Sequence, residues 1–402
     1  MKKKLCRITA LLLAAVLSLG GCGQPGAGKK RTDSTQQTEE TKNKKEDQSK
    51  SDKKGPEIDG LTYESTMDLT YATEFDVYDY KDGYKLLDVH EDRQYLVVPE
   101  GKEAPEGLSE DIVVLQQLDH IYMAATAIMS LLDAVDAIDQ VKFSGLNASG
   151  WYVEDAKKAM ESGDMIYAGK YSEPDYETLV NGECDLAVES TMILHTPKVQ
   201  EMIEDLDIPV FVDYSSYESH PLGRTEWIKL YGAMLNKEDA ADSFFEKQAQ
   251  VIEKLKGFEN TEKTVAYFYV NTDGSIVVRK SEDYIPSMIE IAGGRYAFKN
   301  LKNVDSNAPS VKLTMEEFYA TAVDADYLIY NGTIDGQVKS ISDLEAKSNL
   351  FSEFKAVKEG NVWYTGKNLY QATDTVGELI MDMHLMLTDG DPKEMTFLEK
   401  MK

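Results

Sequence analysis

Residues 236–257 read NKEDAADSFFEKQAQVIEKLKG, and the architecture turns on this stretch. Asn236 is placed to cap a helix start, and Glu238 and Asp239 follow in the first turn, where the helix dipole favours negative charge. Ala241, Phe244, Phe245, Val251, Ile252 and Leu255 recur at helical spacing, and Gly257 is placed to stop the helix in a left-handed cap. Such a helix spans roughly 30 Å, about the diameter of a small domain. Short β-rich runs alternate with helical runs on both sides of it. The expected fold class is therefore α/β: two parallel-sheet lobes joined by one long interdomain helix.

Upstream, the pattern predicts strands at Asp111–Gln116, Val141–Ser144, Asp164–Ala168, Asp185–Glu189 and Pro209–Val212. Helices are expected at Ile121–Ile138, Trp151–Ser162, Pro174–Asn181, Lys198–Leu206 and Thr225–Leu235. Downstream, strands are expected at Thr264–Val270, Ile276–Arg279, Tyr327–Tyr330 and Val362–Tyr364. They alternate with helices at Tyr284–Ala292, Leu313–Ala322, Ser352–Val357 and Thr375–Leu387. Strands alternating with helices imply a parallel sheet covered on both faces. Residues 62–100 differ, with Tyr-rich runs at Leu69–Val77, Tyr84–Val89 and Gln94–Val98 broken by Asp82-Gly83 and Glu91-Asp92. Asp-Gly between β-formers signals a hairpin, so this region reads as a small N-terminal β addition. The expected boundaries are an N-terminal lobe with its hairpin addition at 58–235, the helix at 236–257 and a C-terminal lobe at 258–402.

The chain of 402 residues has room for two lobes with cores of their own, and its formal net charge is −28. A phosphate backbone needs clustered Lys and Arg, so the charge speaks against nucleic acid as a partner. It also argues against an anionic membrane surface as a binding site in its own right. The N-terminus carries Lys2, Lys3, Lys4 and Arg7, followed by the apolar run Ile8–Gly20. That run is too short to cross a bilayer and suits a signal-peptide core. It ends in Leu19-Gly20-Gly21-Cys22, which resembles a bacterial lipobox. The resemblance implies removal of residues 1–21, a diacylglycerol thioether on Cys22 and membrane attachment through that lipid anchor. A plain secretory signal with an incidental cysteine is the other reading. Residues 23–57 are polar and lack apolar periodicity, and 22–57 is expected to be a lipidated, disordered tether. Once Cys6 has left with the signal and Cys22 is acylated, only Cys184 remains, which leaves no intramolecular disulfide. Its surroundings, GECDLAVES, read as the start of a buried strand and an inert thiol.

From Asp111 to the C-terminus the chain resembles the class III substrate-binding lipoproteins of ABC importers, receptors for ferric siderophores, haem and cobalamin. DIVVLQ, a helix, then VKFSGL is similar to the family's opening, and Glu177 stands eight residues before Asp185 of DLAV. IPVFVDYSSYESHPLGRTEW, MIEIAGG, LTMEEF before DADYLIY, and FKAVKEGNVW follow in the family's order. Cys184 and Ala325 stand where the family usually has Pro, and the 62–100 hairpin lies outside the core pattern. The resemblance implies an extracytoplasmic receptor, with a ligand cleft between the lobes at the C-terminal ends of both sheets. Its partners would be an ABC permease and its ATPase, and its ligand a small metal chelate or tetrapyrrole. By position, the family's permease-docking glutamates would be Glu177 and Glu316, with Glu317 next; a dipole-favoured helix-start acid is the alternative for each.

Loops after the expected strands supply the ligand candidates. They are Gln116, His120, Ser144, Trp151, Tyr171, Thr191 and Ser216 in the first lobe, and Tyr269, Asn331, Tyr370 and Gln371 in the second. Arg224, in HPLGRTEW, could fork onto ligand oxygens or pair structurally with Glu226 or Glu218. His120, His195 and His220 fall near expected strand ends, where one could reach a metal. No histidine pair has the spacing of a protein-owned metal site, so any metal would arrive inside the ligand and no resident cofactor is expected. The chain has no G-x-S-x-G, H-E-x-x-H, P-loop or G-x-G-x-x-G, so an enzyme is not expected. Ferric siderophore is the first expectation for the ligand and corrinoid or haem the second, ahead of an extracytoplasmic hydrolase or a ligand sensor.

Overall fold

The computed structural model describes residues 54–90, 92–301 and 310–402. The expected signal segment, Cys22 and the tether up to residue 53 lie outside the described residues. The described chain begins with a five-stranded sheet. Strands β1 (Tyr63–Thr66), β2 (Phe75–Tyr80), β3 (Lys85–Val89) and β4 (Gln94–Val97) pair antiparallel in sequence order, and β5 (Ile112–Leu115) adds parallel to β4. Asp82 and Gly83 both take positive φ, 66° and 88°, in the turn between β2 and β3 that their dipeptide foretold. Two expectations are corrected here. The Asp111–Gln116 run does not open the first lobe; it completes this sheet. A short apolar strand fits any open sheet edge, and the edge it takes is a tertiary matter. Residues 69–74, read as strand, instead form a loop held by buried carboxylates.

The first lobe opens one segment later. Its strands are β6 (Ile121–Met123), β7 (Val141–Ser144), β8 (Ile166–Tyr167), β11 (Leu186–Ser190) and β12 (Val210–Asp213), separated by α1 (Met129–Ala134), α2 (Glu154–Ser162), α3 (Tyr176–Asn181) and α4 (Pro197–Glu204). A minimal hairpin of β9 (Gly169–Lys170) and β10 (Glu173–Pro174) lies outside the sheet. The sheet is wholly parallel, in the order β12-β11-β6-β7-β8. The helix expected at Ile121–Ile138 is therefore a buried strand followed by a short helix. A continuous apolar run carries no periodicity to separate the two readings.

Two helices make the crossing between the lobes. Helix α5 (Pro221–Leu235) is buried nearly all round, and α6 (Glu238–Glu253) packs against it. Gly232 allows the close approach, since a Cβ there would stand 2.7 Å from the Ala241 Cβ. Asn236, expected to cap α6, adopts φ 57° and closes α5, while the backbone of Lys237 begins α6 without a side-chain cap. The helix expected over 236–257 is thus shorter at both ends and forms one arm of a hairpin.

The second lobe has a parallel centre with antiparallel flanks. Its elements run β13 (Thr264–Val270), β14 (Ile276–Arg279), α7 (Tyr284–Ile291), β15 (Arg295–Tyr296), β16 (Ser310–Leu313) and α8 (Met315–Ala322). They continue with β17 (Tyr327–Tyr330), α9 (Ile341–Lys347), α10 (Lys355–Lys358), β18 (Val362–Thr365), α11 (Val376–Leu387) and β19 (Leu398–Lys400). Strand order is β16-β14-β13-β17-β18-β19, with β15 beside β13. Strands β13, β17 and β18 are parallel, whereas β14, β16 and β19 run against their neighbours. Strands β17 and β18 are buried along their whole length, as expected of strands covered on both faces.

Candidate functional site

Parallel strands send all their following loops to one edge, and ligands of open α/β sheets bind outside that edge. In the first lobe these loops follow Met123, Ser144, Tyr167, Ser190 and Asp213; in the second they follow Val270, Tyr330 and Thr365. Loops from the two lobes meet. Gln371 is buried and spans the junction: its Oε1 accepts from Tyr152 N at 2.7 Å and its Nε2 donates to Gly150 O at 2.9 Å. Tyr370 OH donates to the same carbonyl at 3.1 Å, and its ring lies edge-on to Tyr152 with centroids 6.1 Å apart. Thr225 on α5 donates to Thr373 O at 3.0 Å.

Beside this junction lies a cavity of about 140 Å³. Its polar wall consists of Arg224, Tyr267, Arg279, Tyr284, Asn331 and Tyr370, with apolar side chains of α7 and α11 behind. Arg279 ends β14 and pairs with Asp283 at 3.4 Å. Arg224, in the first turn of α5, lies over the Tyr284 ring at 4.1 Å, and its Nε is buried without a partner. Glu226 and Glu218 do not pair with it. Glu226 accepts from the backbone N–H groups of Thr70, Tyr71 and Ala72 at 2.7–3.1 Å, and Glu218 accepts from those of Thr73 and Glu74 and from Trp227 Nε1. Asp213 is likewise committed, to Ser215 and to Tyr231 OH. The sequence thus contains two carboxylates near Arg224, and the fold turns both towards the 70–74 loop.

Of the expected ligand residues, Arg224, Asn331 and Tyr370 line this cavity and Gln371 adjoins it. Ser144 and Trp151 are placed otherwise. Ser144 Oγ donates to Leu146 O at 2.6 Å and accepts from Trp151 Nε1 at 3.0 Å, a buried corner that shapes the loop carrying Gly150 and Tyr152. Thr191 and Ser216 sit on the first lobe's strand-end edge, and Tyr171 lies in the turn between β9 and β10. Tyr269 is half-buried on β13 away from the cavity wall.

Gln116 and His120 are corrections. Gln116 follows β5, where its Nε2 donates to Lys102 O at 3.3 Å. His120 precedes β6, so it lies at the opposite edge of the sheet, where the backbone N–H groups of Asp119 and His120 donate to Asp185. His220 stacks on Tyr71 at 4.3 Å, and burial holds its imidazole below the usual pKa. No histidine lines the cavity among the described residues. Tyr267, Arg279 and Tyr284 escaped the sequence reading. An arginine closing the otherwise apolar IVVR strand was the available signal. Burial pushes the Cys184 thiol up to about 12, in keeping with an inert core position.

Glu177 and Glu316 are exposed in the first turns of α3 and α8. Glu317 is occupied: its carboxylate accepts from Thr314 N at 2.8 Å in a capping box, while Thr314 Oγ1 accepts from Glu317 N.

With the lobes and their junction described, comparison with known proteins decides the family. The family model described as periplasmic binding protein matches residues 124–369. The chain belongs to that family. An uncharacterized lipoprotein of Methanocaldococcus jannaschii is 27% identical over 304 residues, covering 71% of this chain and 69% of that one. Among solved structures, the petrobactin-binding protein of Bacillus subtilis superposes with TM-score 0.53 at 17% identity, covering 68% of this chain and 93% of that one. A periplasmic haem-binding protein of Pseudomonas aeruginosa gives TM-score 0.54 at 13% identity, covering 71% and 98%. Family membership makes this a substrate-binding protein rather than an enzyme. At such identities the structural neighbours speak for the fold, and their different ligands leave this chain's own to be argued from its residues.

Proposed function

We propose that this periplasmic binding protein is a lipid-anchored extracytoplasmic receptor that captures a ferric siderophore between its lobes and delivers it to an ABC permease and its ATPase. The donor set at the junction carries the reading. Three phenols, two guanidiniums, an amide and no histidine suit an oxygen-rich chelate better than a tetrapyrrole needing an axial imidazole. The ligand-facing residues are taken as Arg224, Asn331, Tyr370 and Gln371, joined by Tyr267, Arg279 and Tyr284. Thr191 and Ser216 would meet the outer part of a bulky ligand. The protein supplies no cofactor; the metal enters inside the ligand. Cys22 would carry the lipid, and Glu177 and Glu316, exposed one on each lobe, would dock the permease.

One observation favours haem or a corrinoid as a second reading. The first lobe's strand-end edge exposes Tyr167, Met192, Leu194 and Tyr217, each more than 40% accessible, a surface suited to a flat apolar ring. Titration of the full chain with ferric siderophores, haemin and cyanocobalamin, followed by tryptophan fluorescence and absorption, separates the two. Saturable one-to-one binding of a ferric siderophore without its breakdown is the expected result. A shifted Soret or corrin band with tighter binding would replace it by the second reading.

A further inference from the structure

We infer that the cavity under Arg224 seats a single carboxylate-bearing arm of the ligand, and that Arg224 selects for that negative charge. The inference rests on the receptor reading above and deepens it. Size comes first. A cavity of about 140 Å³ is close to one that holds a single benzene, at about 150 Å³, and cannot enclose a whole metal chelate. The metal-bearing body must therefore remain outside, against the strand-end loops, while one slim arm enters.

The sign of the charge follows from the wall. In a chain with 71 acidic residues and a formal charge of −28, the cavity is lined by two arginines and by no aspartate or glutamate. Arg279 is largely neutralised by Asp283, whose side chain is buried. No carboxylate lies within ion-pair distance of Arg224 among the described residues: Glu218, Glu226 and Asp213 bond elsewhere, and its charge acts on Asp213 and Asp283 only from farther away. Its guanidinium lies over the Tyr284 ring at 4.1 Å, a contact that restrains it before any ligand arrives. The buried, unmatched Nε is a donor that water reaches poorly, and a carboxylate forking onto Nε and one Nη would satisfy it. Both guanidiniums lie against the same ring, with Arg279 5.8 Å from its centre, so the arm would enter beside Tyr284 with positive charge on two sides.

Arg224 is also placed to connect binding with lobe position. It stands on α5, which packs with both lobes, whereas Tyr284 and Arg279 belong to the second. An anion bridging Arg224 and Arg279 would tie the crossing helix to that lobe at the point where Thr225 already bonds to Thr373 O.

The test compares ferric dicitrate, the neutral trihydroxamate ferrichrome and haemin on the full chain and on Arg224→Gln and Arg224→Lys. Thermal melts verify that each variant is folded. Ferric dicitrate is expected to bind at least tenfold tighter than ferrichrome, to weaken with rising salt, and to lose tenfold or more in Arg224→Gln. Arg224→Lys should recover only part of that loss, because a point charge replaces the fork. Ferrichrome, which offers Arg224 no carboxylate, should lose less than ferric dicitrate in Arg224→Gln, so the ratio of the two affinities narrows. Ferrichrome binding as tightly as ferric dicitrate, or an unchanged dicitrate affinity in Arg224→Gln, overturns the inference while the receptor reading stands. Haemin binding best, and weakening in Arg224→Gln through its propionates, would keep the carboxylate seat but replace the siderophore. Failure of the wild-type chain to bind any of the three overturns both.

Discussion

Glu226 shows how strongly a single side chain ties this molecule together. Its carboxylate takes three consecutive backbone N–H groups, those of Thr70, Tyr71 and Ala72, and is fully buried while doing so. Glu218 does the same for Thr73 and Glu74, so the whole 70–74 loop is fastened to the start of α5. Removing one carboxylate leaves several part-buried donors without their acceptor, and a fully buried one would cost about 1–3 kcal/mol. Glu226→Ala is therefore expected to destabilise the fold by at least ~2 kcal/mol, read as a lower urea midpoint, and Glu226→Gln by less. A Glu226→Ala midpoint equal to wild type would show that the loop holds itself. Sequence alone offered Glu218 and Glu226 as partners for Arg224, because all three lie within nine residues. Their real partners lie some 150 residues upstream, a distance that local reasoning does not cross.

At the scale of elements, the join between α1 and α11 carries a pH dependence. Asp374 precedes α11, and burial, with Glu378 and Asp133 nearby, pushes its carboxyl up to about 6 from the ordinary 3.8. Asp185, at the start of β11, is pushed up to about 6 mainly by burial. Between pH 4 and 6 the folded state then binds more protons than the unfolded chain, so stability rises as pH falls through 6. Acidification from pH 7 to 5 is expected to stabilise the protein by about 1–2 kcal/mol. Asp374→Asn should lose a measurable share of that gain in melts at the two pH values, and an equal gain in the variant would remove Asp374 from the account. The carboxyls held low, such as Asp326 beside Lys355, titrate below this window, whereas the imidazole of His220, held low by burial, offsets part of the gain because the unfolded chain takes that proton first.

For the molecule as a whole, the meeting of the strand-end loops of the two lobes is polar and held mainly by Gln371, with Tyr370 beside it. Gln371 fills it with two hydrogen bonds to the Gly150–Tyr152 backbone. Gln371→Ala should widen the lobe separation, visible as a larger radius of gyration in small-angle scattering, and should speed both ligand entry and release. An unchanged scattering profile would assign the lobe position to the α5–α6 hairpin alone. Two exposed acids on separate lobes, Glu177 and Glu316, mark the surface expected to meet the permease. Reversal of both to Lys is predicted to abolish uptake in cells while leaving the ligand dissociation constant within about twofold, since neither lines the cavity. Retained uptake would show that docking uses other residues.

Alternation of β-rich and helical runs fixed the fold class, because burial on both faces demands unbroken apolar strands between amphipathic helices. It also located most strands of both lobes and the C-terminal helix of the second. Hydrophobic pattern is a local property, and those elements are locally specified. Which sheet Ile112–Leu115 joins, whether Ile121–Met123 is strand or helix, and whether Asn236 opens one helix or closes another were decided by tertiary contacts. The candidate site divides in the same way. Arg224, Asn331, Tyr370 and Gln371 were legible as loop residues after strands. Arg279, Tyr267 and Tyr284 were not, because they lie in or against regular elements and face the junction only once two lobes and a crossing helix are packed. Charge sign at the cavity was hidden for the same reason: a chain this acidic shows a cationic wall only where folding has turned Glu218, Glu226 and Asp213 to other partners and left Asp283 to pair with Arg279 alone.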